Sequence, residues 1–383
     1  MATLELRVSR GIGGTMNRLN LLMLLAIVML FSFNSCQSVT DTRTKEGTLR
    51  NLAEQNNLFY IGSTYLNDIA VHASDKEMYK RVLGEEFNYL QCEWDMSMEA
   101  IWTGRNEYNF TWCDNAANFA IEHNMKLRGA HLIWHGSLPQ WDFAALSNTE
   151  FENAVHDYIN TVINHFKTKY PGLITEWNVV NEVIDADGIV NTGETRFRPS
   201  IFLDKMGPDF VKKAFTWAHE ADPDAKLYMC DYDFLGNETD NKGKADLLYG
   251  LVTELKNANV PIHGVAEQCH LDIDPSMGYQ DMNYYSTTMD RFGNLGLEFQ
   301  ITECTIAIKN GEGSLSERLQ EQANLLTKIL GVCKTKPYFK GFSFWGFVDS
   351  HTYLDETEYP VLFDKDYNPK PSYFAVYDGL KNK

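Results

Sequence analysis

A chain of 383 residues with a net charge of −18 has no basic surface for tracking phosphates, so a nucleic-acid partner is excluded. A hydrophobic fraction of 44% supports a large core, enough for one big barrel or two ordinary domains. The aromatic fraction of 13% fits core packing or a surface that stacks sugar rings, and composition alone favours the core.

The N-terminus reads as a targeting segment. Arg7, Arg10 and Arg18 precede an apolar run from Leu21 to Phe31, too short to span a bilayer but suited to a signal-peptide core. The run ends in Phe33-Asn34-Ser35-Cys36, which resembles a bacterial lipobox with Cys36 as the lipidated first residue. The alternative is an ordinary signal peptide with a chance cysteine. The expected organisation is a lipoprotein-type signal peptide over 1–35, a lipidated Cys and polar tether over 36–50, and one folded domain over 51–383. The expected location is outside the cytoplasm, membrane-anchored in the periplasm or at the cell surface. Cys92, Cys113, Cys230, Cys269, Cys304 and Cys333 show no zinc spacing. Several lie in apolar, strand-like runs, so buried free thiols are expected.

From Phe59 onward, short apolar strands alternate with helical stretches. The strand candidates are Phe59–Gly62, Phe87–Gln91, Lys126–Trp134, Ile174–Asn181, Lys226–Cys230, Gly264–Gln268, Leu297–Thr302 and Gly341–Trp345. Ser147-x-x-Glu150 and Ser314-x-x-Glu317 are capping-box patterns that open amphipathic helices. Pro208 is expected in the first turn of a helix carrying Phe210, Val211, Ala214, Phe215 and Ala218. Helices between strands call for parallel strands with right-handed crossovers. The fold class is therefore α/β, a single-domain (β/α)8 TIM barrel.

Barrel active sites lie where strands end and βα loops begin. Strand four ends Asn181-Glu182 and strand seven ends Thr302-Glu303. Two opposed carboxylates are what glycoside hydrolysis needs, one protonated to assist the leaving oxygen and one ionised to attack the anomeric carbon. Asn181 is placed to bind a sugar 2-OH. Strand six ends Gln268-Cys269-His270, and a His there can hold the nucleophile ionised. Strand three ends Trp134-His135, and Trp134 with Trp345, at the end of strand eight, is placed to wall a sugar.

These residues resemble glycoside hydrolase family 10, whose characteristic members are endo-β-1,4-xylanases. The resemblance runs from about Phe59 to Ala375. Trp177-Asn178-Val179-Val180-Asn181-Glu182 is similar to the family's acid/base motif and Ile301-Thr302-Glu303 to its nucleophile motif. Gln268-Cys269-His270, Leu132-Ile133-Trp134-His135 and Phe363-Asp364 with Pro369-Lys370-Pro371 match further stretches. The resemblance implies Glu182 as acid/base, Glu303 as nucleophile, a covalent glycosyl-enzyme, retained configuration, and no metal or organic cofactor. Glu93, Trp94, Trp134, His135, Asn181, Gln268, His270, Trp345 and Tyr353 are the implied substrate-binding set.

Departures cluster in substrate binding. The family's Glu-Asn-x-x-Lys is here Glu93-Trp94-Asp95-Met96-Ser97, so Trp94 and Ser97 replace two sugar-holding residues. The usual substrate-contacting His is Ala130, with His131 beside it; the Asn of Asn-Asp-Tyr is Cys230; a second active-site Trp is Tyr353. The implied activity is cleavage of β-1,4-xylan or a decorated xylan. The alternatives are the same chemistry on another β-glycan, or a glycan-binding lipoprotein that has lost catalysis. A barrel lyase or aldolase is disfavoured, since strand ends show neither a Schiff-base Lys nor a metal cluster.

Overall fold

All eight expected runs form strands, and their hydrogen bonds close into a ring. The strands are β1 (Tyr60–Tyr65), β2 (Tyr89–Cys92), β3 (in two pieces, Lys126–Leu127 and Ile133–Trp134), β4 (Glu176–Asn181), β5 (Lys226–Asp231), β6 (Gly264–Glu267), β7 (Glu298–Ala307) and β8 (Phe339–Phe344). The computed structural model describes residues 47–185, 196–236, 238–274 and 281–381. The signal segment, Cys36 and nearly all of the tether lie outside the described residues.

Every barrel pairing is parallel, from β1 through successive neighbours and back from β8 to β1. Strand β3 completes the circle. It pairs Tyr89↔Lys126 with β2, and Ile133↔Val180 with β4. Between its two pieces, Gly129 bridges Trp177. A Cβ at Gly129 would lie 2.1 Å from the Trp177 ring, so only glycine lets the backbone pass there. Strands β2, β4 and β6 are buried along their whole length, as parallel strands covered by helices must be.

A helix follows each strand: α1 (Lys76–Glu86), α2 (Thr111–Glu122), α3 (Asn148–Lys169), α4 (Phe210–Ala221), α5 (Glu238–Asn257), α6 (Met282–Asn294), α7 (Leu315–Cys333) and α8 (Pro371–Lys381). Both capping boxes form, at Ser147 and Ser314. Helix α4 buries the expected face but starts at Phe210, so Pro208 precedes the helix instead of occupying its first turn. The short helix Ile201–Met206 ends at Gly207 with φ +69°, a conformation glycine adopts without strain, and the chain restarts after it. All six described cysteines are buried and free, as expected.

The barrel interior is polar at its centre. Arg128 of β3 is fully buried. Its Nη1 lies 2.6 Å from Glu176 Oε1 and also reaches Gln300 Oε1, while Nη2 donates to Asn178 Oδ1 at 2.9 Å. Gln300 Nε2 and the Tyr89 hydroxyl complete the shell around Glu176. A charge this deep is tolerated only when paired and hydrogen-bonded. Replacing Arg128 with Leu strands the Glu176 carboxylate and should cost about 3–5 kcal/mol. Denaturant unfolding checks this; a loss within about 0.5 kcal/mol, typical of surface changes, would contradict it.

Candidate active site

The sequence-expected residues converge at the C-terminal mouth of the barrel, and two irregularities aim them. In β4, Glu176 and Asn178 point inward to Arg128 while Trp177 packs outward on Phe166 of α3. Regular alternation would send Asn181 outward too. A register shift between Asn178 and Val180, with an extra residue in β4, turns Asn181 inward instead. In β7, Gln300 and Thr302 face the interior, and a second extra residue between Ile301 and Cys304 brings Glu303 to the same side. Glu182 then leaves β4 with φ +54°, held by its N–H to Cys230 O at 2.9 Å and by Arg198 Nε on its carbonyl at 3.2 Å.

Glu303 is enclosed. Its side chain is 6% exposed, with His270 Nε2 3.4 Å from Oε2 and His131 Nε2 3.9 Å from Oε1. The thiol of Cys230, the residue that replaces the Asn of the Asn-Asp-Tyr pattern, stands 4.0 Å from Oε1. His270 is fixed from behind by Thr305 Oγ1 at 3.0 Å from its Nδ1, with the Tyr353 hydroxyl at 3.3 Å from the same atom. The residue beside Ala130 therefore does reach in: His131 meets the carboxylate, while Ala130 is buried with its N–H on Met96.

Glu182 is more open, at 15% side-chain exposure. Gln268 Nε2 donates to its Oε1 at 3.0 Å and sits 3.4 Å from Asn181 Oδ1. His135 Nε2 is 4.0 Å from Oε2. Burial pushes the Glu182 pKa up, but the Gln268 and Trp134 side chains and the nearby His131 and His135 outweigh it and pull it below the usual carboxylate value. The Trp134 Nε1–H is short of strict hydrogen-bond geometry, yet near enough to favour the anion. The buried Asn181 Nδ2 has no hydrogen-bond partner among the described residues.

Glu93 accepts from Thr64 Oγ1 at 2.7 Å, and burial, assisted by the nearby Glu303 charge, pushes its pKa to about 7. Its neighbour Trp94 is 41% exposed. Ser97 is a different matter. It is buried and caps the short helix Met98–Ile101 by accepting from Ala100 N at 3.2 Å, so its side chain serves the loop. Trp345 is half-buried just beyond β8, its N–H on Cys304 O at 3.2 Å, one residue after Glu303. The C-terminal match is structural as well: Lys370 forms a buried ion pair with Asp349 at 2.7 Å.

Sequence reasoning passed over Arg198, which braces the Glu182 turn and, after burial, adds to the lowering of the His135 pKa. It also passed over Lys244, 2.7 Å from Asp231, whose other oxygen accepts from Ile184 N. Neither sits in a recognisable motif. A separate cavity of about 650 Å³ opens at the opposite end of the barrel, with the paired Lys226 and Glu298 in its wall.

The model of glycosyl hydrolase family 10 matches residues 48–379. The chain belongs to that family. It is 33% identical to endo-1,4-beta-xylanase B of Thermotoga neapolitana, over 96% of this chain and 99% of that protein. It is 35% identical to endo-1,4-beta-xylanase A of Thermoanaerobacterium saccharolyticum over 80% of this chain, but spans only 26% of that longer protein. Among solved structures, xylanase 10B from Thermotoga petrophila in complex with xylobiose superposes with a TM-score of 0.79 at 34% identity, covering 88% of this chain and 98% of that one. The family-10 chain is thus a glycoside hydrolase with a (β/α)8 barrel.

The amide of Gln268 is the nearest donor on Glu182, and its removal in Gln268→Leu should raise the Glu182 pKa. Carboxyl ¹³C NMR titration checks this. A Glu182 pKa that stays put or falls would mean that another neighbour sets it.

Proposed function

We propose that this family-10 hydrolase is a retaining, endo-acting xylanase in which Glu303 is the nucleophile and Glu182 the acid/base. The contrast between the two carboxylates carries the assignment. Glu303, at 6% side-chain exposure, is shielded from water and faces the His131 and His270 imidazoles. Glu182, at 15%, can exchange protons with water, as the group that first gives and later takes a proton must.

In this reading Glu303 attacks the anomeric carbon while Glu182 protonates the departing oxygen. The resulting ester is opened by water that Glu182 deprotonates, and two inversions retain configuration. Asn181 Nδ2, unpartnered and buried, donates to the sugar 2-OH, a contact that strengthens as positive charge develops on the ring. The rate against pH is bell-shaped. Because its donors hold Glu182 below the usual carboxylate value in the free site, the alkaline fall of kcat/KM begins at acidic pH.

The xylanase names of the relatives and the xylobiose complex of the Thermotoga petrophila protein support xylan as the substrate class. The finer reading is a decorated xylan, with Trp94 stacking where the family hydrogen-bonds. Trp94 alone bears this reading, since Ser97 is committed to its helix cap. Incubation with linear xylan, arabinoxylan, glucuronoxylan and mixed-linkage glucan tests both. Short xylo-oligosaccharides should appear and vanish in Glu303→Gln. Products only from the glucan would move the substrate to another β-glycan, and silence on all four would favour a binding protein. Trp94→Asn should lower the ratio of decorated to linear xylan turnover severalfold; an unchanged ratio removes Trp94 from specificity.

The N-terminal segment supports a further proposal, that the chain is exported and anchored through a lipid on Cys36. No helix among the described residues is long and apolar enough to cross a membrane. Cys36→Ser should abolish labelling by radioactive palmitate in the producing cell; retained label would place the lipid elsewhere.

A further inference from the structure

We propose that Asn178 locks His131 in its neutral Nε2–H tautomer, so that a hydrogen-bond donor, never a lone pair, faces Glu303. The argument rests on which groups can donate. Arg128 has donors only and is fully buried against Glu176. Its Nη2 lies 2.9 Å from Asn178, so the atom it meets there must be the amide oxygen. Asn178 is itself 1% exposed, and its other terminus, 3.3 Å from His131 Nδ1, must then be the NH₂ group.

An NH₂ group aimed at Nδ1 requires a lone pair on that nitrogen. The single proton of the neutral ring is left on Nε2, 3.9 Å from Glu303 Oε1. That distance is beyond a hydrogen bond in the resting site, and such contacts tighten in the reacting complex. The ionisable groups facing His131 are Glu303 on β7, Glu182 after β4 and Arg128 on its own strand. The two carboxylates favour an imidazolium, while burial and Arg128 oppose it, and the net direction is downward. The Asn178 amide adds a directional constraint to this balance, since a second proton has no acceptor on the Nδ1 side.

Asn178 is thus a positioning residue, and its use for catalysis rests on the reading of Glu303 as nucleophile. A neutral donor steadies the carboxylate without the strong pairing that an imidazolium would impose on an attacking group. His131 need not gain or lose a proton as Glu303 passes from anion to ester and back.

The test uses the full chain with ¹⁵N-labelled histidine. Long-range ¹H–¹⁵N spectra, with His131 assigned by its loss in His131→Gln, should show Nε2 protonated and Nδ1 bare over about pH 5–8, the range in which an ordinary imidazole titrates. In Asn178→Asp, which keeps the shape but replaces the NH₂ donor by a carboxylate, Nδ1 should acquire a proton. The titration midpoint should rise by about 1–3 pH units. On a soluble aryl xylobioside, kcat should fall by a larger factor than KM changes. A wild-type ring carrying Nδ1–H, a wild-type imidazolium, or an Asn178→Asp spectrum unchanged in tautomer and midpoint would each overturn the proposal. Should that variant fail to fold, the wild-type spectrum alone decides. Because the spectrum does not depend on turnover, it separates failure of this proposal from failure of the xylanase reading.

Discussion

A pleated strand can turn only alternate side chains into a barrel, and the candidate active site of this protein depends on breaking that rule twice. The inner residues of β4 and β7 near mid-barrel, Glu176, Asn178 and Gln300, bind Arg128. With strict alternation Asn181 and Glu303, further along, would face the surrounding helices. One extra residue in each strand reverses the parity, so that Asn181 and Glu303 join the interior at the mouth. Glu182 is turned out by a left-handed backbone that β5 and Arg198 hold in place.

Below the mouth, the Arg128 cluster is more than a support. It connects the middle of the barrel to Glu303 through Asn178 and His131, each link set by the donor or acceptor character of the one before. The two carboxylates meet different surroundings in consequence. Glu182 accepts from the Gln268 amide with the Trp134 indole nearby, and Glu303 faces two imidazoles and a thiol. Identical functional groups are thus given different chemistry by their neighbours.

Much of this was legible in the sequence. All eight strands lie where apolar runs predicted them, because buried parallel strands are short and continuously apolar. Two helix starts were readable from their capping boxes. The Glu182, Glu303, Gln268 and His270 cluster was visible because polar residues at the ends of apolar runs are conspicuous. What stayed hidden depends on register. A bulge leaves no mark in composition, so the inward turn of Asn181 and Glu303 was not foreseeable. Ser97 looked like a lost sugar contact because its helix, Met98–Ile101, is too short to announce itself. Arg198 and Lys244 act through distant partners that only the folded chain supplies.

The central claim is that Glu303 forms the covalent bond to the sugar while Glu182 manages the proton. Incubation with a 2-deoxy-2-fluoro xylobioside bearing a good leaving group tests it most directly, because the fluorine slows release of the intermediate. The account predicts a protein mass increased by one fluoro-xylobiosyl group, with digestion placing that group on Glu303. An adduct on Glu182 or on any other residue, or steady turnover of xylan by an enzyme that is never labelled, would contradict it.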